Sequence, residues 1–394
     1  MRDSRRVPRS IRQWLLVTMM ILALGGCGSS AASLTAQPTG GATMTATIPA
    51  GPPLRDVKVP YLMGVSMGSA DDGWAVGYDG HGEAGYALHD RNGIWTKQPL
   101  TVQPADAGLS LTPLGVQMLS AADGWIYGSI GQNITLPTRA VILHLTNGLW
   151  REEALPAGLT ALRAVSFVSP TAGWALAYHF SNTSTDTLIL KYTAGRWSVE
   201  TQIVGHTLTT LSMATPTDGI AADEHTLFRY RNGVWGQTTL PASISVDRFA
   251  GVAMVSATEA WALGFHTPLS QCPQDCGEIV EDVLAHYVNG IWTQVKDALT
   301  LQLERSHTSD SDVQFLPNPL VATTGGQVWI AYGPMAYYSS GQRVATLESG
   351  CASDFWGAAP VPGADEAWLV GSTGQLFHYA AGKVTRYETG APCA

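Results

Sequence analysis

Residues 65–77 read VSMGSADDGWAVG, and the reading of this stretch decides the fold. Trp74 has an aliphatic residue nine positions before it, Val65. The same spacing recurs at Val116/Trp125, Val165/Trp174, Val252/Trp261 and Leu320/Trp329, with weaker copies at Leu211/Ile220 and Ala359/Trp368. Each anchor is followed by a glycine turn, usually with a tryptophan after it: NGIW (92–95), NGLW (147–150), AGRW (194–197), NGVW (232–235) and NGIW (289–292). SGQRV (340–344) and AGKV (381–384) keep the glycine and lose the tryptophan. Self-similarity of this kind marks a repeat architecture, here with seven units.

Within a unit the pattern is β. In GVSMGS, GVQMLS, AVSFVS and GVAMVS, Val and the Met or Phe lie two apart and share one side of a strand, with small residues on the other. WAVGY, WIYG, WALAY and WALGF read as a second strand, and YALHD, VILHL, LILKY, LFRY and LAHY as a third. The run after each Asn-Gly reads as a fourth, because Asn-Gly between strands supplies the two positive-φ positions of a tight hairpin. Four strands repeated seven times predict an all-β, seven-bladed β-propeller over residues 61–394. A β-sandwich array is the other architecture such strands allow.

The unit also shows which tempting residues are repeat chemistry. Two positions before the anchors stand Asp72, Asp123, Ala172, Asp218, Glu259, Gln327 and Glu366, five acids in seven. With the glycine that often follows, they read as turn formers accepting local backbone N–H groups. Four positions before the turn glycines stand His89, His144, Lys191, Arg229, His286, Tyr337 and His378. They fall on different blades, too far apart for metal–nitrogen bonds of about 2.0–2.1 Å. No catalytic residue and no metal set is assigned. The tryptophans read as wedges between blades.

The chain ahead of the repeats has a different character. Residues 1–13 carry five arginines, and WLLVTMMILAL (14–24) is an apolar run of 11 residues, too short to span a bilayer. Leu24-Gly25-Gly26-Cys27 then resembles the lipobox of bacterial lipoproteins. That resemblance implies a signal peptide over 1–26, lipidation of Cys27 and a place on the extracytoplasmic side of the cell membrane. Residues 27–60, rich in Ser, Thr, Ala, Gly and Pro, read as a disordered linker. Of 22 basic and 31 acidic side chains, five arginines and one aspartate lie in 1–26, which leaves 17 and 30. A net charge near −13 argues against nucleic acid, and against anionic lipid for the body of the protein. Four cysteines remain, Cys272, Cys276, Cys351 and Cys393. Of the three pairings open to them, Cys272–Cys276 and Cys351–Cys393 are preferred as disulfides.

The paired signature of GWAVG followed by a Gly-x-Trp hairpin resembles photosystem II stability/assembly-factor-type propellers and sialidase-type Asp-box repeats. It departs from the Asp box, Ser-x-Asp-x-Gly-x-x-Trp, in turns that are a residue shorter and mostly carry Asn. The resemblance implies fold and export context and leaves activity open. In a propeller the first-to-second and third-to-fourth turns open on one face, and the second-to-third loops and inter-blade links on the other. The latter vary: anchor and turn glycine are 19, 23, 21, 13, 29, 12 and 14 residues apart in units one to seven. Binding residues gather on variable loops of rigid scaffolds. The largest insertions are 265–282 and the link 301–315. Together they offer His266, Asp275, Glu278, Glu281, Asp282, Glu304, Arg305, His307, Asp310 and Asp312 as a mostly acidic binding surface. A protein or glycan of the cell envelope is the expected partner, and loosely bound Ca²⁺ the one cofactor such oxygen-rich loops would suit. The expected function is a non-catalytic binding or assembly scaffold. The alternative is a carbohydrate-active enzyme of sialidase or lyase type, for which Arg163, Arg248 and Arg305 are the nearest arginines.

Overall fold

The computed structural model describes residues 33–38, 44–47 and, within 61–387, all but 79–84, 101, 103–107, 133–135, 180–185, 267–278, 296–301, 305–317, 324, 333–334, 341–342, 349–353 and 373. No helix occurs among the described residues. Each repeat unit forms one antiparallel sheet of consecutive strands. Sheet one comprises Tyr61–Met67, Asp72–Tyr78, Tyr86–Arg91 and Ile94–Pro99. Sheets two, three and four run over 110–152, 161–203 and 210–238, and sheets five, six and seven over 248–294, 320–348 and 355–387.

The sheets stand as a propeller. First strands of successive sheets touch from sheet one through sheet six, the second strand of sheet six meets the first strand of sheet seven, and the latter meets the first strand of sheet one. Trp74, Trp125, Trp174, Trp329 and Trp368 are buried between sheets. Trp74 meets Trp150 of sheet two edge-on at 5.1 Å, and Trp95 meets Trp368 of sheet seven in the same way at 5.1 Å. The wedge reading of the tryptophans therefore holds.

The expectation of seven equal blades needs correcting. Six sheets are blades of four consecutive strands, one of them with the short segment Gln302–Glu304 added beside its third strand. The sheet over 320–348 is six-stranded instead. Ser33–Pro38 and Met44–Thr47, inside the stretch read as linker, form a hairpin that pairs with the fourth strand of that sheet, Arg343–Glu348. The reason is an available edge: outer strands expose unpaired N–H and C=O groups, and a Thr/Ala-rich segment can satisfy them. The last strand, Lys383–Tyr387, stays in sheet seven with its own hairpin partner. The ring thus closes by packing between sheets seven and one, with no exchange of strands.

Two local rules explain the repeat. Asn92, Asn147, Asn232 and Asn289 have φ of 49–55°, and the glycines after them 74–98°, as a two-residue hairpin turn requires. The glycine after the acid works differently from the turn role expected of it. A Cβ on Gly73, Gly124, Gly173 or Gly219 would stand 2.1–2.4 Å from the side chain of Met67, Met118, Phe167 or Met213, its partner across the strand pair. These glycines make room for the large residue of the first strand.

Serines on the first strands then tie neighbours together. The backbone N–H of Met118, Met213 and Met254 donates to the hydroxyl of Ser66, Ser166 and Ser212 of the preceding sheet, at 2.9, 2.9 and 2.8 Å. Between sheets two and three Gln117 does this twice, accepting from Phe167 N–H at 2.8 Å and donating to its carbonyl at 3.0 Å.

Candidate functional site

The acids and histidines that recur along the chain meet inside each blade. Trp74 stands opposite His89 across the second and third strands, and Asp72 shares its face of the strand two residues away. The result is a stack: the His89 ring lies flat on Trp74, centroids 3.9 Å apart, with Nε2 3.1 Å from Asp72 Oδ2. The same trio forms at Trp125/His144/Asp123, with 3.9 and 3.1 Å, and at Trp261/His286/Glu259, with 3.7 and 3.0 Å. Trp368/His378/Glu366 forms it at 4.4 and 3.1 Å. Burial lowers the pKa of His89 and of His378, against the pull of Asp72 and Glu366.

The exceptions show what the acid does. Sheet three has Ala172 in the acid register and Lys191 in the histidine register, and the lysine turns to Glu200 on the fourth strand at 3.0 Å. Glu200 also accepts from Trp174 Nε1 at 3.0 Å and from the Tyr230 hydroxyl at 2.9 Å. In sheet four Arg229 replaces histidine and lies 3.6 Å from Asp218. Where the acid is lost the histidine is lost with it, and where arginine replaces histidine it still lies beside the acid, so the acid serves its cross-strand partner. The expected role as an acceptor of local backbone N–H groups is corrected: at the first turn those N–H groups, of Gly68 and Ser69, go to the main-chain carbonyl of Asp72. The four stacks lie in four different sheets and do not converge on one site. No group of three metal-ligating side chains occurs among the described residues.

The variable face carries the rest. Asp275, Glu278, Arg305, His307, Asp310 and Asp312 lie outside the described residues, as do Cys27, Cys272, Cys276, Cys351 and Cys393. His266 is described, with Nδ1 3.1 Å from Asp247. At the level of the backbone the two insertions meet. Ile279, Val280 and Glu281 pair with Glu304, Leu303 and Gln302, while Glu281 and Asp282 stand opposite His266 and Phe265. The pairing therefore sets residues of 265–282 and 301–315 side by side.

Nearer the axis lies a group that the repeat reading passed over. First strands of sheets one, two, three, five and seven each skip a residue in register, at Met63, Leu114, Arg163, Ala250 and Trp356. Tyr61 is sandwiched between Tyr78 at 5.1 Å and Trp356 at 5.9 Å, all three rings nearly parallel. Arg163 is buried beside Tyr127 and Tyr178. Burial pulls its pKa down and pushes Tyr127 up to about 12. Arg248 is bound to Glu224 at 2.5 Å, and His206 to Asp223 at 2.5 Å. The signal for this aromatic rim was present in WAVGY, WALAY and WALGF, which all place an aromatic ring four residues after the anchor.

No family model matches this chain, and no curated protein matches it. Among solved structures it is similar to YCF48 from Cyanidioschyzon merolae, at 15% sequence identity over 82% of this chain and 96% of that one, with a TM-score of 0.51. At that identity the likeness is one of fold, an all-β propeller of four-stranded blades.

Proposed function

We propose that this protein is a non-catalytic binding or assembly scaffold, anchored to the cell membrane through Cys27 and facing the extracytoplasmic side. It takes a protein or glycan of the envelope on the face of the variable loops. In this reading the six-stranded sheet serves as the seventh blade of the ring. One observation carries the proposal: the two longest insertions are hydrogen-bonded to each other through Ile279–Glu281 and Gln302–Glu304. Their described ends pair on a face where loop length is otherwise unconstrained, while the opposite turns are held to a fixed repeat. The assembly-factor-type resemblance of the repeats points the same way.

Deleting 267–278 together with 305–315 tests this. The propeller should keep its cooperative melt, and photo-crosslinking from position 266 in cells should lose its partner adducts. Unchanged adducts would sink the assignment. A second reading, an envelope carbohydrate-active enzyme, draws on Arg163 lying among Tyr127 and Tyr178 near the axis. Turnover of an envelope glycan that disappears in Arg163→Lys would favour it.

A further inference from the structure

The hairpin on sheet six sets how this propeller would stand on a membrane. Fourth strands run from the Gly-turn face to the face of the links, so Arg343 lies at the former end and Glu348 at the latter. The hairpin strand is antiparallel to it, with Pro38 opposite Arg343 and Leu34 opposite Leu347, and Ser33 itself faces Thr47. Ser33 therefore emerges on the link face, at the outer edge of the sheet next to the blade that carries both insertions.

The distances matter. Cys27 precedes Ser33 by six residues, a reach of roughly 20 Å at full extension. Without the hairpin, the free chain from Cys27 to Tyr61 would be 34 residues, with a root-mean-square span of about 30–35 Å and an extended reach above ~100 Å. Six residues of strand from Glu348 back to Arg343 also cover roughly 20 Å. Docking thus converts a long leash into a short strap that is fixed at one face, and the Gly-turn face stands about a strand length farther away.

Resting on the anchor at Cys27, we propose that the hairpin holds the link face, with its paired insertions, toward the bilayer. The partner is then the extracytoplasmic surface of a membrane-embedded protein. Sequence charge narrows the class: 265–282 contain four acids and no Lys or Arg, and 301–315 three acids and one arginine, a composition that disfavours anionic headgroups and favours basic extracytoplasmic loops.

The test uses the full-length lipidated protein on phospholipid vesicles containing a headgroup-attached quencher. An azide-bearing residue carries a fluorophore at position 266, on the link face of sheet five, or at 291, on its Gly-turn face. The label at 266 should be quenched several-fold more than that at 291. Thr35→Pro with Ala36→Pro removes one ladder N–H toward Arg343–Glu348 and one toward Met44–Thr47, because the N–H groups of successive strand residues point to opposite sides. This variant should keep its melting temperature within a few degrees while the two labels become alike. Equal quenching in the unaltered protein, or a difference that survives the prolines, overturns the orientation. Failure to associate with vesicles at all overturns the anchor reading and this proposal with it. Crosslinking from 266 in cells adds the partner class: membrane-embedded adducts lost in the proline variant are expected, and soluble adducts alone refute it.

Discussion

Asp71 and Asp72 are neighbours with opposite consequences. Asp71 is exposed and accepts from the Ser69 hydroxyl at 2.8 Å, whereas Asp72 is the partner of His89, which is 4% exposed. Asp72→Ala leaves a buried ring nitrogen without its acceptor and should cost about 1–3 kcal/mol in urea unfolding. Asp71→Ala should stay within about 0.5 kcal/mol. The pH response has two opposing parts. His89 and His378 have folded pKa values below 6.5. Their contribution to stability is present above 6.5 and is lost as pH falls through the depressed folded values. Asp90, 1% exposed where sheet one meets Tyr387 of sheet seven, is raised from 3.8 to about 7 by burial. The N–H of Gly93 opposes that shift, and the charges of Asp72 and Asp71 add to it. Its neutral form favours the fold fully below 3.8, and that contribution is lost as pH rises through 7. Asp90→Asn should therefore raise the melting temperature at pH 8, and the gain should shrink toward pH 5. A gain that is flat across that range would show that the Asp90 carboxyl does not titrate there.

At the scale of the element, the hairpin turns and the ties between sheets give separate tests. Ala194 and Ala381 hold φ of 53° and 51° in the register that asparagine fills elsewhere. An L-residue with no polar side chain is disfavoured there by about 1–2 kcal/mol. Ala194→Asn and Ala381→Asn should each stabilise by several tenths to about 1 kcal/mol in chemical denaturation. Ser166→Ala removes the acceptor of Met213 N–H and should cost about 1 kcal/mol. Turns and wedges were legible in the sequence because each is a local demand, a dihedral pair or a bulky ring at fixed spacing. The acid–histidine pairing was not. Its partners are 17, 21, 27 and 12 residues apart in sheets one, two, five and seven, because loops of unequal length lie between the two strands. The joint changes of Ala172 with Lys191 and of Gln327 with Tyr337 were its marks in the sequence. The hairpin over 33–47 was hidden for a related reason. Its composition is that of a linker, and its pairing partner lies some 310 residues away along the chain.

The described chain is a ring of sheets, each built on four consecutive strands, with the 33–47 hairpin added to the sheet over 320–348. Trp95, Trp368 and Tyr387 share the seam where its ends meet. A propeller closed in this way does not need its termini where they are. Joining Tyr387 to Tyr61 by a linker as long as the link 153–160 between sheets two and three, and opening the chain between Pro99 and Ser110, should give a permutant with a similar melting temperature. Trp368→Ala, by contrast, removes a buried ring from the seam and should cost about 3–5 kcal/mol, read by calorimetry.

The outer strands are also where one propeller could stick to another. Four of the blades end in strands studded with charge, such as Lys97, Arg151 and Glu152, Arg196 and Glu200, and Lys383 and Arg386. The fourth strand of the sheet over 320–348 reads RVATLE, with an uncharged middle that offers its backbone to any extended chain. In the native protein its own N-terminal hairpin is the chain that takes it. Residues 33–47 thus cover an edge, and a trimmed protein beginning at Tyr61 should leave that edge open to pairing with the same edge of a second copy.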